Sequence, residues 1–462
     1  MRLGSRRSHG FIFKLSIILL MLVLIISLSA CQRSSRLEES VKFKDGPEIK
    51  QLGNLPTDLL RPGDLIYQGA FRLPGGSNDS NWEYGGSAMT YFPGGDSGGP
   101  DDGWPGSIFG VGHDQQQHVS EIDIPAPFVS KKKRLSELKR ASTLQKFEDI
   151  TGGRYGELEI PRAGIEYLPA QSGQSQGKLH FSWGAHFQFK RKPAVGWSEL
   201  DISAPQTQGI WFLGDFANYV MGDYLFEIPQ VWAEANLPGY RLATGRFRDG
   251  TWSGLGPAIL AYAPGDESDP PGARAIIRRV KPLLLYGVSR KGDPQIRVSA
   301  DQKMVTFKEA DEWSGAAWLT SGNKTAVILA GTKATGKSWY GFANGVVYPT
   351  SGDEDEEVPD VPPWPYDDRG WWSEGIKAQI IFYNPADLAD VAKGTRKSWE
   401  PQPYASLDLT KYLFDPGFDY ERQKRYLVGG VSFDRERGIL YIFERRGDGD
   451  RSLVHVFKIG SN

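Results

Sequence analysis

The chain has 462 residues, a formal charge of −2 and one cysteine, so it is long enough for a large core but cannot form an internal structural disulfide. The mild acidic balance argues against nucleic acid as a partner. With 55 glycines, 30 prolines and 14 tryptophans, the composition suits an all-β protein with elaborate loops.

Arg2, Arg6, Arg7 and Lys14 precede an apolar run over residues 15–28. The run is shorter than the ~20 apolar residues a transmembrane helix needs, and it fits the hydrophobic region of an export signal. It ends in Leu28-Ser29-Ala30-Cys31, which resembles the lipobox of bacterial lipoproteins. That resemblance implies a signal peptide over residues 1–30, cleavage before Cys31, lipidation of Cys31 by palmitate-type chains, and membrane attachment. Gln32 in place of Asp resembles lipoproteins sent to the outer membrane of Gram-negative cells, so the expected location is the cell envelope. Two or more acyl chains, at ~0.8 kcal/mol per buried CH₂, hold a protein stably to a bilayer. Losing the four leader cations takes the formal charge from −2 to −6 and leaves no thiol for catalysis. Residues 31–60 are polar and unpatterned, as in a flexible tether, and residues 61–462 are expected to form the folded domain.

Residues 64–74 form one alternating strand, and residues 84–124 then contain three short alternating runs (84–91, 107–113 and 118–124) separated by turn residues. Such runs predict antiparallel strands. The first, small-residue run returns at 162–167, 243–247, 314–318 and 429–433. The second returns at 178–183, 258–262, 325–330 and 439–443, and the third at 197–202, 282–286, 379–383 and 454–459. Steps between the glycines at 86, 164, 245, 315 and 430 are 78, 81, 70 and 115 residues, longer than the about 40–50 of a simple propeller blade. The pattern predicts a β-propeller, with five blades preferred over six or seven, long loops and a few short surface helices. Small residues belong on the innermost strands, where blades crowd the axis, and residues 64–74 could complete the last blade and close the ring.

Several segments interrupt the repeats. Lys131-Lys132-Lys133-Arg134, followed by Leu135, Leu138 and Leu144, predicts a short basic surface helix within 130–147. Residues 228–237 begin near a proline and stop before Pro238-Gly239. Residues 384–394 have Asn384 as N-cap, Pro385 at the first position and Gly394 past the end, so both segments predict rim helices. An insertion at 346–375 holds the acidic run 353–357, then Pro359, Pro362, Pro363, Pro365, Trp364, Tyr366, Trp371 and Trp372. It reads as a solvated charge run followed by a rigid extended loop.

Residues 331–338 fit the phosphate-loop pattern letter for letter. Two glycines and no helical apolar stripe follow, so a strand-to-strand loop is expected and no nucleotide. His113, Asp114 and His118 lie across one turn, and His180 and His186 occupy the matching part of the next repeat. Imidazoles and a carboxylate from consecutive blades could converge at one end of the axial channel, holding a divalent metal or supplying a general base. The competing reading is hydrogen-bonded structural histidines. Asp215 with Asp223, and Glu157 with Glu159, are carboxylate pairs of the kind glycoside hydrolysis uses. Trp183, Trp197, Trp211, Trp232, Trp252, Trp313, Trp339, Trp371 and Trp372 suit stacking on sugar rings, and equally packing between blades. Nucleophile-elbow and metalloprotease-helix patterns are absent.

Residues 65–74, Tyr84-Gly85-Gly86, Gly112-His113-Asp114, 382–388, 399–405 and 453–457 resemble a family of uncharacterised exported bacterial proteins and lipoproteins with a β-propeller-like repeat domain. The resemblance covers most of the exported domain and implies a secreted β-rich repeat fold, with no activity attached. The expectation is a membrane-anchored lipoprotein whose extracytoplasmic propeller binds a glycan or protein partner. The alternative is an extracytoplasmic hydrolase, metal-dependent or not, acting at the channel mouth.

Overall fold

The computed structural model describes residues 54–96, 102–156, 161–185, 191–245, 254–287, 301–350, 357–419 and 424–460. Every described residue belongs to one compact unit, within Asp45–Asn462. The predicted signal peptide, Cys31 and most of the tether therefore lie outside the described residues.

Strands β1 (Asp58–Leu59) and β2 (Leu65–Arg72) come first. Blade 1 follows as β3 (Met89–Phe92), β4 (Ser107–Val111), β5 (Val119–Asp123) and β6 (Thr143–Glu148). Blade 2 consists of β7 (Pro161–Leu168), β8 (Lys178–Ala185), β9 (Val195–Ser198) and β10 (Gln208–Leu213). Blade 3 begins with β11 (Tyr224–Glu227), helix α1 (Gln230–Asn236), β12 (Leu242–Gly245) and β13 (Ala258–Tyr262). The two-residue β14 (Ile276–Ile277) pairs parallel to the edge of blade 2 before β15 (Val280–Leu285) completes blade 3. Blade 4 is β16 (Glu312–Ser321), β17 (Lys324–Gly341), β18 (Gly370–Tyr383) and, after helix α2 (Pro385–Lys393), β19 (Ala405–Asp408). Blade 5 is β20 (Val428–Asp434), β21 (Ile439–Asp448) and β22 (Arg451–Ile459), with β2 as its outer strand.

The innermost strands β3, β7, β11, β16 and β20 contact one another in that order, and β20 contacts β3, so the described residues form a closed five-bladed ring. Small residues sit where the ring is tightest. A Cβ on Gly164 of β7 would lie 2.6 Å from the Tyr224 carbonyl carbon of β11, and one on Gly429 would lie 1.9 Å from the Gly86 carbonyl oxygen. Neither gap admits a methyl group. Between blades the packing is aromatic and aliphatic: Trp232, Trp313, Trp318 and Tyr383 fill the space between blades 3 and 4, and Phe71, Trp82, Ile122 and Tyr441 that between 5 and 1.

Five sequence expectations need correction. In blade 3, residues 243–245 are the second strand rather than the innermost, and the fourth strands β6, β10 and β19 were missed. The predicted basic helix is instead a single 3₁₀ turn, Leu135–Glu137, followed by β6, whose Phe147 packs into the blade 1 core. Residues 331–338 are not a loop but the middle of β17, paired with β18 across Gly331↔Gln379 and Ser338↔Ser373. No helix follows, and Lys333 Nζ is spent on Asp311 Oδ1 at 2.7 Å. Asp58 and Leu59, read as tether, pair with Lys324 and Thr325 of β17. The two rim helices form as expected, α2 with the Asn384 side chain accepting from Ala386 N–H and Gly394 left-handed at φ 79°.

Candidate functional site

Each blade begins on the axis, so the channel has one end where the innermost strands start and one where they finish. At the finishing end each of the five blades contributes a polar group. Glu227 N–H of β11 donates to Glu166 Oε1 of β7 (3.1 Å), and Glu166 Oε2 shares a hydrogen bond with Thr90 Oγ1 of β3 (3.0 Å). Arg435, just past β20, donates from Nε and Nη2 to Glu227 Oε2 (3.2 and 3.1 Å). Its Nη1 donates to the Trp318 carbonyl and Thr320 Oγ1 of β16 (3.0 and 2.9 Å). Arg241 supplies a second cation to Glu227 Oε1.

These neighbours drive the two carboxyls apart. Burial, then the adjacent Glu227 carboxylate, push Glu166 up to about 8. Burial also opposes charge on Glu227, but Arg435 and Arg241 outweigh it and hold Glu227 below the ordinary carboxylate value. Glu166 is thus neutral at pH 7 beside an ionised Glu227. The folded chain keeps the Glu166 proton where the unfolded chain has lost it, so stability is full below the ordinary glutamate range and falls as pH rises through about 8. We expect Glu166→Gln to flatten this slope between pH 6 and 9, a difference of about 2 kcal/mol once solvent screening is allowed for. Urea titrations at a series of pH values would measure it. A wild-type slope unchanged in Glu166→Gln would show that the proton sits elsewhere.

A cavity of about 320 Å³ opens beside this cluster, with Glu227, Gln230, Thr320 and Arg435 on its walls. At the starting end, Arg162 Nη1 of β7 meets Glu312 Oε1 of β16 at 3.4 Å. Both this pair and Arg435–Glu227 skip a blade, so an Arg–Glu contact spans the channel at each end.

The β4–β5 turn lies on the starting side. His113 Nδ1 accepts from Gln115 N–H (3.2 Å) and sits 3.5 Å from Asp114 Oδ1, its ring edge-on to Tyr84 at 5.6 Å. His118, at the end of the turn, lines a cavity of about 440 Å³ between blades 1 and 2 with Gln115, Gln116, Gln117, Asp149, Tyr155 and Trp183. Tyr155 and Trp183 lie nearly parallel, ring centroids 6.3 Å apart, and Tyr155 OH is anchored on the Ala194 carbonyl. Gln117 is 5% exposed and holds a left-handed φ of 55°. Its Nε2 donates to the Asp114 carbonyl at 2.9 Å, whereas its Oε1 has no hydrogen-bond partner among the described residues.

His180 is elsewhere. It stands opposite Glu166 in the β7–β8 pair, buried, with Nε2 2.8 Å from Gln174 Oε1, and burial followed by Lys178 pushes it down to about 3. It is a neutral, structurally bonded imidazole and does not join His113 and His118, which stay in the β4–β5 turn of blade 1. His186 lies outside the described residues. Among the described residues no three His, Cys, Asp or Glu side chains stand close enough to hold a metal ion.

Asp215 is exposed and pairs with Arg191, while Asp223 is buried with its backbone N–H on the Gly245 carbonyl. Glu157, Glu159 and Trp252 fall outside the described residues. Trp197, Trp211, Trp232 and Trp313 are buried between blades, and Trp372 is buried in the β17–β18 hairpin opposite Trp339. Sequence reasoning missed Glu166, Glu227, Arg241 and Arg435. The available signal was a charge set among small and apolar residues of an innermost strand, as Glu166 is within residues 163–167. No protein-family model and no curated protein matches the chain.

Proposed function

We propose that this propeller is a binding module, carried outside the cytoplasm on a lipid attached to Cys31, that takes a glycan in the cavity between blades 1 and 2. The observation that carries the reading is the lining of that cavity: the half-buried Tyr155 ring, backed by the buried Trp183, beside three consecutive glutamines, His118 and a Gln117 carbonyl lacking a donor among the described residues. Aromatic faces take the apolar side of a sugar ring, and amides and imidazole exchange hydrogen bonds with its hydroxyls. A protein ligand remains the second occupant of the same face. The lipid anchor is supported by residues 28–31 and by the absence of any other cysteine.

The test is a glycan array probed with the folded unit, residues 45–462, followed by calorimetry on any hit. Tyr155→Ala is expected to weaken binding about tenfold, equivalent to roughly 1.4 kcal/mol. No glycan bound, or binding indifferent to Tyr155→Ala, would remove the reading. A Cys31→Ser chain that still took up labelled palmitate would remove the anchor. The hydrolase alternative now rests on the oppositely shifted Glu166 and Glu227, a pattern typical of acid and base partners. It requires that a glycan be cleaved at the finishing end of the channel, beside the cavity that Glu227 lines, and that Glu166→Gln stop that cleavage.

A further inference from the structure

The insertion between β17 and β18 carries a second surface that the cavity does not use. Its stem is firmly built. Tyr348 N–H donates to the Tyr340 carbonyl (2.8 Å) and Phe342 N–H to the Val346 carbonyl (2.9 Å). Tyr340 packs against Trp371 at 5.7 Å, and the Arg369 guanidinium lies 4.2 Å over the Tyr348 ring.

From this stem, residues 357–363 run without helix or strand. Pro359, Pro362 and Pro363 fix their own φ near −65°, and each drives the residue before it out of the helical region; the chain then turns at Trp364 and the cis Pro365, with Tyr366 N–H on the Pro363 carbonyl (3.0 Å). A chain so constrained favours the polyproline II form, with three residues per turn. The exposures follow that period. Val358, Val361 and Trp364 are 58%, 64% and 76% exposed, while Pro359, Pro362 and Pro365 are half-buried. Among the described large hydrophobic residues Trp364 is the most exposed. Three apolar side chains in one row, held out at the cost of leaving them in water, mark a contact surface.

The charge around the row selects its occupant. Glu357 and Asp360 are exposed on the same segment, and Glu357 ends the acidic run 353–357. An anionic bilayer surface repels such a segment. In a two-fold pair of copies the same patch would meet itself, acid against acid. A groove on another protein, floored with aromatic rings and rimmed by Lys and Arg, matches both the period and the charge, because such grooves take preformed extended chains with little ordering entropy.

We propose that residues 357–366 are a docking motif whose Val358–Val361–Trp364 row seats in an aromatic-lined, basic-rimmed groove of a partner protein. The motif is independent of whatever fills the cavity between blades 1 and 2. The test places the photo-reactive residue p-benzoylphenylalanine at position 361 of the full chain in its producing cell. The crosslinked peptide is then sequenced, and the affinity of the purified pair is measured. The expected result is a crosslink inside an aromatic groove with Lys or Arg at its edge. Affinity should fall about tenfold or more for Trp364→Ala and weaken with added salt. Because Trp364 is solvent-exposed, the variant should melt like the parent chain and keep any binding that depends on Tyr155. Crosslinks to lipid, to a second copy or to a surface without such a groove would overturn the proposal. So would no crosslink at all, or an affinity that Trp364→Ala leaves within about twofold.

Discussion

A chain beginning at residue 74 is expected to lose its cooperative fold, although every innermost strand is still present. The missing piece is β2, the outer strand of blade 5, which pairs with β22 from Leu65↔Ile459 to Arg72↔Leu453. Leu65, Phe71 and Leu73 are each at most 5% exposed, and burying such side chains contributes about 1.5–3 kcal/mol apiece. Roughly 6 kcal/mol from these three already equals a large part of the 5–15 kcal/mol that stabilises a typical domain. The cut also removes the Arg72–Asp448 ion pair (2.8 Å) and the Tyr404 hydroxyl contact with the Leu60 carbonyl. It bares the edge of β22, a row of unpaired backbone groups that invites aggregation. Thermal melts and size-exclusion profiles of residues 74–462 against 45–462 would decide the matter. A shortened chain that melted cooperatively within a few degrees of the longer one would mean that ring closure by β2 is dispensable.

This closure was legible in the sequence because residues 64–74 alternate and stand alone before the first repeat, leaving an unpartnered strand to be placed. The five innermost positions were legible only where glycine marks them. Gly86, Gly164, Gly315 and Gly430 each sit in an innermost strand or its approach, and their crowding explains why. The same crowding hid β11. Since Gly164 already gives way to the Tyr224 backbone, β11 itself needs no small residue and reads Tyr-Leu-Phe-Glu, like any buried strand. The Ala243-Thr244-Gly245 segment then took its place in the pattern, and blade 3 was read one strand late.

The site was less legible than the fold. Histidines draw attention by rarity, yet His180 is an interior residue bonded to Gln174, whereas His118 lines a cavity. Glu166, Glu227 and Arg435 meet because the ring brings positions 61 and 208 residues apart into hydrogen-bond contact. No local pattern encodes a contact across the axis.

That contact leads to the second large effect: Arg435→Ala should destabilise the propeller by about 3 kcal/mol. Arg435 and Glu227 are 23% and 16% exposed, so the figure belongs at the low end of what breaking a buried pair costs. Removing the guanidinium leaves the Trp318 carbonyl and Thr320 hydroxyl without their donor, and leaves Glu227 with Arg241 alone beside Glu166. Arg435→Lys keeps the charge but loses the planar fork that reaches blades 3 and 4 together, and should cost less than alanine but more than an ordinary surface exchange. The decisive measurement is a double-mutant cycle with Glu227→Gln, read by urea denaturation. If the pair spans the channel as a unit, the two losses will fall short of additivity by about 2 kcal/mol. With a cation gone from between two carboxyls, Glu166 should also hold its proton to higher pH in Arg435→Ala, extending the fall in stability further into alkaline solution. Additive losses and an unmoved pH profile would mean that Arg435 merely caps the end of β20, and that the blades are held around the axis by packing alone.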